Sequence, residues 1–269
     1  MTEEGVLSRD GRLYKTLSLG YGLLKKEVTL LSRYHVNTIT FFIVLYLIFL
    51  MIFIGGKLFG GQTFTDSFDA IIVAYFLASM SYVAFSGLAD TFSREASWGT
   101  LEQLYMTEVG FGTTALLIAV VQSLLSFVWG FALLLVMLVT TSRTISVDVV
   151  SVIPIAFFGI VSVMGLGFIL GGGAVLYKRV DNVFNLMQFA FYGLVAMPVE
   201  TYPALKFLPL AQASYLLRLV MDEGYRIWEL PVAELGLLVA VGIGYLVVGY
   251  LTFDAVMSVV RRRGVMGHY

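Results

Sequence analysis

From Thr38 to Ile54 the chain carries no charged residue, and from Phe41 onward it reads FFIVLYLIFLMIFI. Such a run cannot form a water-facing surface. Roughly 20 apolar residues in a helix cross the hydrocarbon of a bilayer, about 30 Å. Inside hydrocarbon each backbone N–H and C=O must be satisfied within the segment, which selects the α-helix. Comparable runs recur at about 68–89, 113–140, 149–177, 183–197 and 232–260. With the first, they predict six transmembrane helices.

Composition points the same way. The 269 residues are 59% hydrophobic and 13% charged. Soluble domains are nearer half apolar and a quarter charged. The fold expected is therefore an all-α integral membrane protein. It divides into a leader at 1–37, a transmembrane domain at 38–260 and a tail at 261–269. No separate soluble domain fits beside six spans. The first apolar run is long enough to span and to direct insertion, so no signal peptide is expected.

Other chemistry is narrowed by what the chain lacks. It has no cysteine, which removes disulfides and thiolate metal sites. Its two histidines, His35 and His268, lie near opposite ends. No metal site and no nucleic-acid partner is expected. Intramembrane polar residues are few: Ser79, Ser81, Gln122, Asn185 and Gln188. Hydrogen bonding between helices is the simpler role for them. Asp90, Asp181 and Asp254 fall near span ends, where solvent or a cation can meet them.

The leader has a pattern of its own. Leu13, Leu17, Tyr21, Leu24, Val28 and Leu31 recur at spacings of 4, 4, 3, 4 and 3. They form one helical stripe with the lysines off it, as in a helix lying in the membrane interface. A packed or frayed leader is the alternative, since Gly20 and Gly22 weaken the helix. Lys and Arg favour the cytoplasmic side. Placing both ends inside puts 12 of the 17 there, leaving Lys57, Arg143, Lys206, Arg218 and Arg226 outside. Both termini are expected in the cytoplasm, with the chain in the plasma membrane.

Two connections stand out. The segment 198–230 is broken by Pro198, Pro203 and Pro209, and its apolar pieces are too short to cross. Re-entrant or interfacial helices fit it. The loop 91–108 contains Ser93-Arg94-Glu95-Ala96-Ser97-Trp98-Gly99-Thr100-Leu101-Glu102-Gln103-Leu104. Gly99 can adopt the left-handed conformation that ends a helix. Thr100 with Gln103 reads as a capping box opening a new helix. Leu101, Leu104 and Tyr105 would give that helix an apolar face, for a partner or simply as part of a solvated loop.

The string Arg94-Glu95, then Gly99-Thr100-Leu101-Glu102-Gln103-Leu104, resembles the signature of ABC type-2 permeases, the membrane subunits of ATP-driven exporters. Its place after the second of six spans fits that family, as do the leader helix and the broken segment before the last span. Ser97 and Trp98 stand where members usually carry charges. The resemblance implies a pair of permease chains, identical or related, above two separate ATPase subunits. It implies that Arg94, Glu95, Gly99, Thr100, Leu101 and Glu102 belong to the element coupling the two. It also implies a central path lined by the second and fifth spans. Here those offer Phe76, Met80, Phe85, Met187, Phe189 and Tyr192, a lining suited to an apolar or amphipathic substrate.

The chain itself is not expected to be an enzyme. No Gly-x-x-x-x-Gly-Lys-[Ser/Thr] occurs, so ATP and Mg would be held by the partner ATPase. Gly171-Gly172-Gly173 lies in an apolar run, where close helix packing or a flexible break is the expected role. A non-transporting scaffold or sensor on the same fold is the rival reading. An intramembrane enzyme is a weaker one, since neither His-Glu-x-x-His nor Gly-x-Ser-x-Gly occurs.

Overall fold

The computed structural model describes residues 3–59, 68–143, 145, 147–177 and 181–262, the side chains of 3–10, 12 and 181 apart. The helices are α1 (Glu3–Arg33), α2 (His35–Phe59), α3 (Phe68–Ser97), α4 (Leu101–Tyr105) and α5 (Phe111–Thr141). They continue with α6 (Val149–Tyr177), α7 (Asp181–Val195), α8 (Ala211–Met221) and α9 (Val232–Arg262). Short 3₁₀ turns occupy Pro203–Phe207 and Ile227–Glu229. Five helices, α2, α3, α5, α6 and α9, are long and apolar enough to cross a membrane. The chain is a multi-pass, all-helical membrane protein.

α3 is the hub. Most of its apolar stretch is buried, whereas α2 and α9 leave most of theirs facing outward. Aromatic rings fix the neighbours. Phe41 stacks on Tyr82, and Phe49 lies between Phe68 and Tyr75, so α2 runs antiparallel to α3. Phe76 meets Phe131 on α5. Phe85 takes Phe184 and Phe191 of α7 edge-on.

Glycines let α6 approach both α3 and α9. A Cβ on Gly167 or Gly171 would press on Leu88 or Phe92 of α3. On the other face, a Cβ on Gly165 would come within 2.0 Å of the Tyr245 carbonyl oxygen, and one on Gly249 within 2.1 Å of the Gly165 oxygen. Gly242 faces the Phe158 carbonyl and Gly172 faces Val256. The pairs 158 with 242, 165 with 249 and 172 with 256 advance by seven residues along both helices. α6 and α9 are therefore parallel, in the heptad register of left-handed packing. Packing, not a break, is the role of this glycine run: α6 is continuous through it.

Parallel α6 and α9 oblige the chain between them to travel from one end of the bundle to the other. α7 does part of this. Its 15 residues reach about 22 Å at 1.5 Å each, short of the ~30 Å core. Pro198 stops it, since proline lacks the N–H and bars the helical region to the residue before it. The expected fifth span is thus a helix too short to cross alone. α8 then packs into the bundle. Ala213 sits over Gly159, the Ser214 hydroxyl donates to the Val195 carbonyl at 2.7 Å, and the Leu210 N–H reaches the Ser162 Oγ at 3.4 Å. Leu210 adopts φ 67°, a left-handed conformation uncommon outside glycine. Lys206 and Gln212 both donate to Glu234, fastening this segment to the start of α9.

The end of α9 returns to the side that carries α1, where Phe253 stacks near Phe111. That side is called the leader end below. Lys178, Arg179, Gly60, Gly61, Arg263 and the tail after it lie outside the described residues, as do the side chains of Arg9, Arg12 and Asp181.

Candidate functional site

At the leader end α3 outlasts its apolar stretch by two turns, carrying Asp90, Thr91, Arg94 and Glu95. Arg94 and Glu95 find ionic partners on α1, and the Thr91 hydroxyl donates to the Gly87 carbonyl of its own helix at 2.7 Å. Glu95 is almost wholly buried, with 5% of its side chain exposed. One of its carboxylate oxygens is paired with the Lys26 ammonium of α1. The other accepts from the Thr100 hydroxyl at 2.5 Å. Beside it, Arg94 reaches Glu27 of α1 at 3.4 Å and the Thr91 hydroxyl at 3.4 Å. The Gln122 amide of α5 donates to the same hydroxyl at 3.3 Å. Gly87 admits that amide: a Cβ there would fall 2.3 Å from the Gln122 Oε1. Lys26-Glu27 and Arg94-Glu95 are thus matched dipeptides of complementary sign, clamping α1 to α3.

The turn that follows is a Schellman motif. Gly99 takes φ 69°, its N–H bonds the Ala96 carbonyl at 3.2 Å, and the Thr100 N–H bonds the Glu95 carbonyl at 3.0 Å. Gly99 therefore ends α3 as expected, because a left-handed residue at that position costs glycine nothing. The capping box does not form. Thr100 makes no side-chain cap to α4, because its hydroxyl is taken by the buried Glu95 carboxylate, a stronger charged acceptor.

α4 turns its apolar face inward. Leu101 is 1% exposed, and Leu104 and Tyr105 are half-buried. Tyr105 stacks on Phe111 with ring centres 3.9 Å apart. Burial pushes its phenol up to about 12, partly opposed by Arg261 at the end of α9. Leu101 is thus an anchor to the bundle and not an outward contact. What α4 and its flanks expose is Trp98, Glu102, Gln103 and Met106. Of the six residues the family signature singles out, Gly99 and Glu102 are exposed, Arg94 and Thr100 are partly covered, and Glu95 and Leu101 are buried. Lys15 of α1 pairs with Glu108, which draws that carboxyl below its usual range. Leu13, Leu17 and Tyr21 of the leader stripe point away from the bundle.

The six residues expected along a path do not share a lining. Phe76, Met80 and Phe85 are fully buried within the chain. Met80 fills the space over Gly130, and the two phenylalanines pack on α5 and α7. Phe189 points outward, 65% exposed, and Met187 is partly covered. Tyr192 stacks on Tyr75 at 5.3 Å, accepts from the Gln188 amide at 2.8 Å and donates to the Tyr75 hydroxyl at 3.3 Å. Tyr75 in turn donates to the Leu45 carbonyl at 2.5 Å. This chain ties α7, α3 and α2 together. Of the intramembrane polar residues, Gln122 does bond across helices. Ser79 turns back to its own helix, and Ser81 has no partner.

A cleft of about 420 Å³ opens between α2, α3, α5 and α7, with α1 at its leader end. Its polar residues include Asp90, Arg94, Asn185 and Gln188, and its apolar ones Phe41, Val44 and Trp129. No protein-family model and no curated protein sequence matches the chain.

Proposed function

We propose that the chain is the membrane subunit of an ABC type-2 exporter, paired with a second permease copy or relative and driven by separate ATPase subunits. Glu95 carries the reading. One buried carboxylate holds both the leader helix, through Lys26, and the loop helix, through Thr100. A push on α4 is thereby transmitted to α1 and α3 together. Trp98, Glu102, Gln103 and Met106 form the surface the ATPase would press. ATP and Mg are bound by that partner.

The same reading takes 181–231 as one further crossing, the fifth of six in chain order, with α7 as its inner part and α8 re-entrant from the far side. The parallel course of α6 and α9 supports it, because the chain must recross between them. The leader and the end of α9 then both face the cytoplasm, in the plasma membrane. The leader stripe of Leu13, Leu17 and Tyr21 rests in the lipid interface. The outward face of α7, with Leu186 and Phe189, meets the second permease and the path, and an apolar or amphipathic substrate suits it.

ATP can drive the change only if the ATP-bound partner favours one permease state over the other. Each tenfold preference supplies about 1.4 kcal/mol. The test is reconstitution into liposomes with the ATPase recovered from the same membranes. ATP-dependent movement of an amphipathic dye supports an exporter. Stimulated hydrolysis without movement of any amphiphile points to a sensor or scaffold instead.

A further inference from the structure

Lys25 and Lys26 are neighbours in α1 but serve different sides of it. Lys26 turns inward and pairs with the buried Glu95 of α3. Lys25 is exposed, as is Arg33 at the end of the same helix. Neither has a carboxylate partner among the described residues. Between Gly11 and Thr38 the one carboxylate is Glu27, and it is held inward by Arg94. Glu108 of the loop also reaches α1, where Lys15 neutralises it. The outer side of α1 thus keeps an uncompensated positive charge. Beside the cations runs the exposed apolar stripe of Leu13, Leu17, Tyr21 and Val28. Lys25 falls about 40° from Tyr21 and about 60° from Val28 around the helix, so cation and stripe share one face. Arg33 lies about 8 Å along the chain from Thr38, where the uncharged run of α2 opens, at 1.5 Å per residue. That is the depth of the headgroup layer.

We infer that the outer face of α1 binds anionic phospholipid headgroups, with Lys25 and Arg33 on their negative charge and the stripe at the acyl boundary. Charge complementarity selects this occupant. A zwitterionic headgroup offers no net charge to two unpaired cations, whereas an anionic one is drawn by both. Continuity selects it too. The face runs on through exposed Tyr34 and Val36 to Ile39 and Ile43 of α2, so what covers it is the bilayer that already surrounds the span. Lipid charge on Lys25 acts one residue from the Lys26–Glu95 clamp. The inference rests on the reading that lays α1 in the lipid interface, and needs neither an ATPase nor transport.

The chain has no cysteine, so Ser32→Cys, exposed and between the two cations in sequence, takes a single bimane label. The full chain is placed in phosphatidylcholine nanodiscs with equal small fractions of doxyl-labelled phosphatidylglycerol or doxyl-labelled phosphatidylcholine. The expected result at low salt is quenching that corresponds to about fivefold enrichment of the anionic lipid over the zwitterionic one. The ratio should fall toward one at about 1 M salt, and in Lys25→Gln/Arg33→Gln. Both substituted residues are exposed, so quenching by the zwitterionic lipid should be unchanged in that variant. Equal quenching by the two lipids at low salt overturns the inference and leaves α1 in the interface. A preference undiminished in the double variant overturns it as well. Quenching by neither lipid takes α1 off the membrane, and the interface reading falls with the inference. No ATPase or ATP is present, so none of these outcomes decides the exporter.

Discussion

The Glu95 carboxylate and the Thr100 hydroxyl lie 2.5 Å apart across the left-handed turn at Gly99. The bond is bought at the expense of the expected cap on α4. It joins the loop to a carboxylate that already holds the leader helix through Lys26. Removing either partner should therefore loosen both. Glu95→Ala should cost about 1–3 kcal/mol and Thr100→Val about 1 kcal/mol, read as loss of thermal stability in detergent. Lys26 is 39% exposed on its side chain, so the ion pair contributes less than a fully buried one. A double-mutant cycle should show Glu95 coupled to both partners. Additive effects would mean that the three groups do not act as one unit.

The glycine seam gives a sharper contrast. Gly165→Leu and Gly249→Leu place side chains where backbone carbonyls lie about 2 Å from the Cβ. Each should force α6 and α9 apart at a cost of about 3 kcal/mol or more. Gly173, in the Gly171-Gly172-Gly173 run of the same helix α6, has open space around it, so Gly173→Leu should be tolerated. Monodispersity on gel filtration after solubilisation distinguishes them. Equal behaviour of all three would contradict the seam.

Gly99 presents a backbone test. At φ 69°, Gly99→Ala should cost about 1 kcal/mol, and Gly99→Asn less, because asparagine tolerates the left-handed region. The reverse order, measured by thermal unfolding, would contradict the Schellman turn.

The Lys15–Glu108 pair ties the leader to the loop at the surface. Its carboxyl titrates below its usual 4.5 because Lys15 bonds the charged form. A depressed carboxyl contributes above its unfolded value and is lost as the pH falls through the lowered one. Spin labels at Ser18 and Met106 should thus keep a narrow distance near neutrality and spread as the pH falls through and below the ordinary carboxylate range. High salt should spread them too, since the pair is exposed. A distance unaffected by either change would place the tie elsewhere.

Much of the fold was legible because hydrocarbon leaves the backbone few choices. The uncharged runs located all five long helices, three of them to within two residues at each end, while α2 and α3 extend beyond their runs into polar sequence, and Gly99 marked the end of α3. Other features depend on partners distant in sequence. Nothing near Thr100 signals that a buried Glu95 will capture its hydroxyl. The apolar face of Leu101, Leu104 and Tyr105 could have met a partner or its own bundle, and Phe111 decides for the bundle. Phe76, Met80 and Phe85 read equally well as lining or core until Gly130 and α7 close over them. The complementary signs of Lys26-Glu27 and Arg94-Glu95 were visible, but only the helix crossing makes them a clamp. The apolar run at 183–197 located α7 to within two residues at each end, but at 15 residues it is too short to cross alone, and how the chain completes the passage between α6 and α9 is not written in that run.

The coupling claim is tested most directly by purifying the chain from its own membranes in mild detergent, as wild type and as Trp98→Ala/Glu102→Arg. Both substituted residues are exposed, so the fold should survive. The account predicts a P-loop ATPase in stoichiometric amount with the wild type and its loss from the variant. Recovery of the wild-type chain alone, across several detergents and with a non-hydrolysable ATP analogue present, would contradict it.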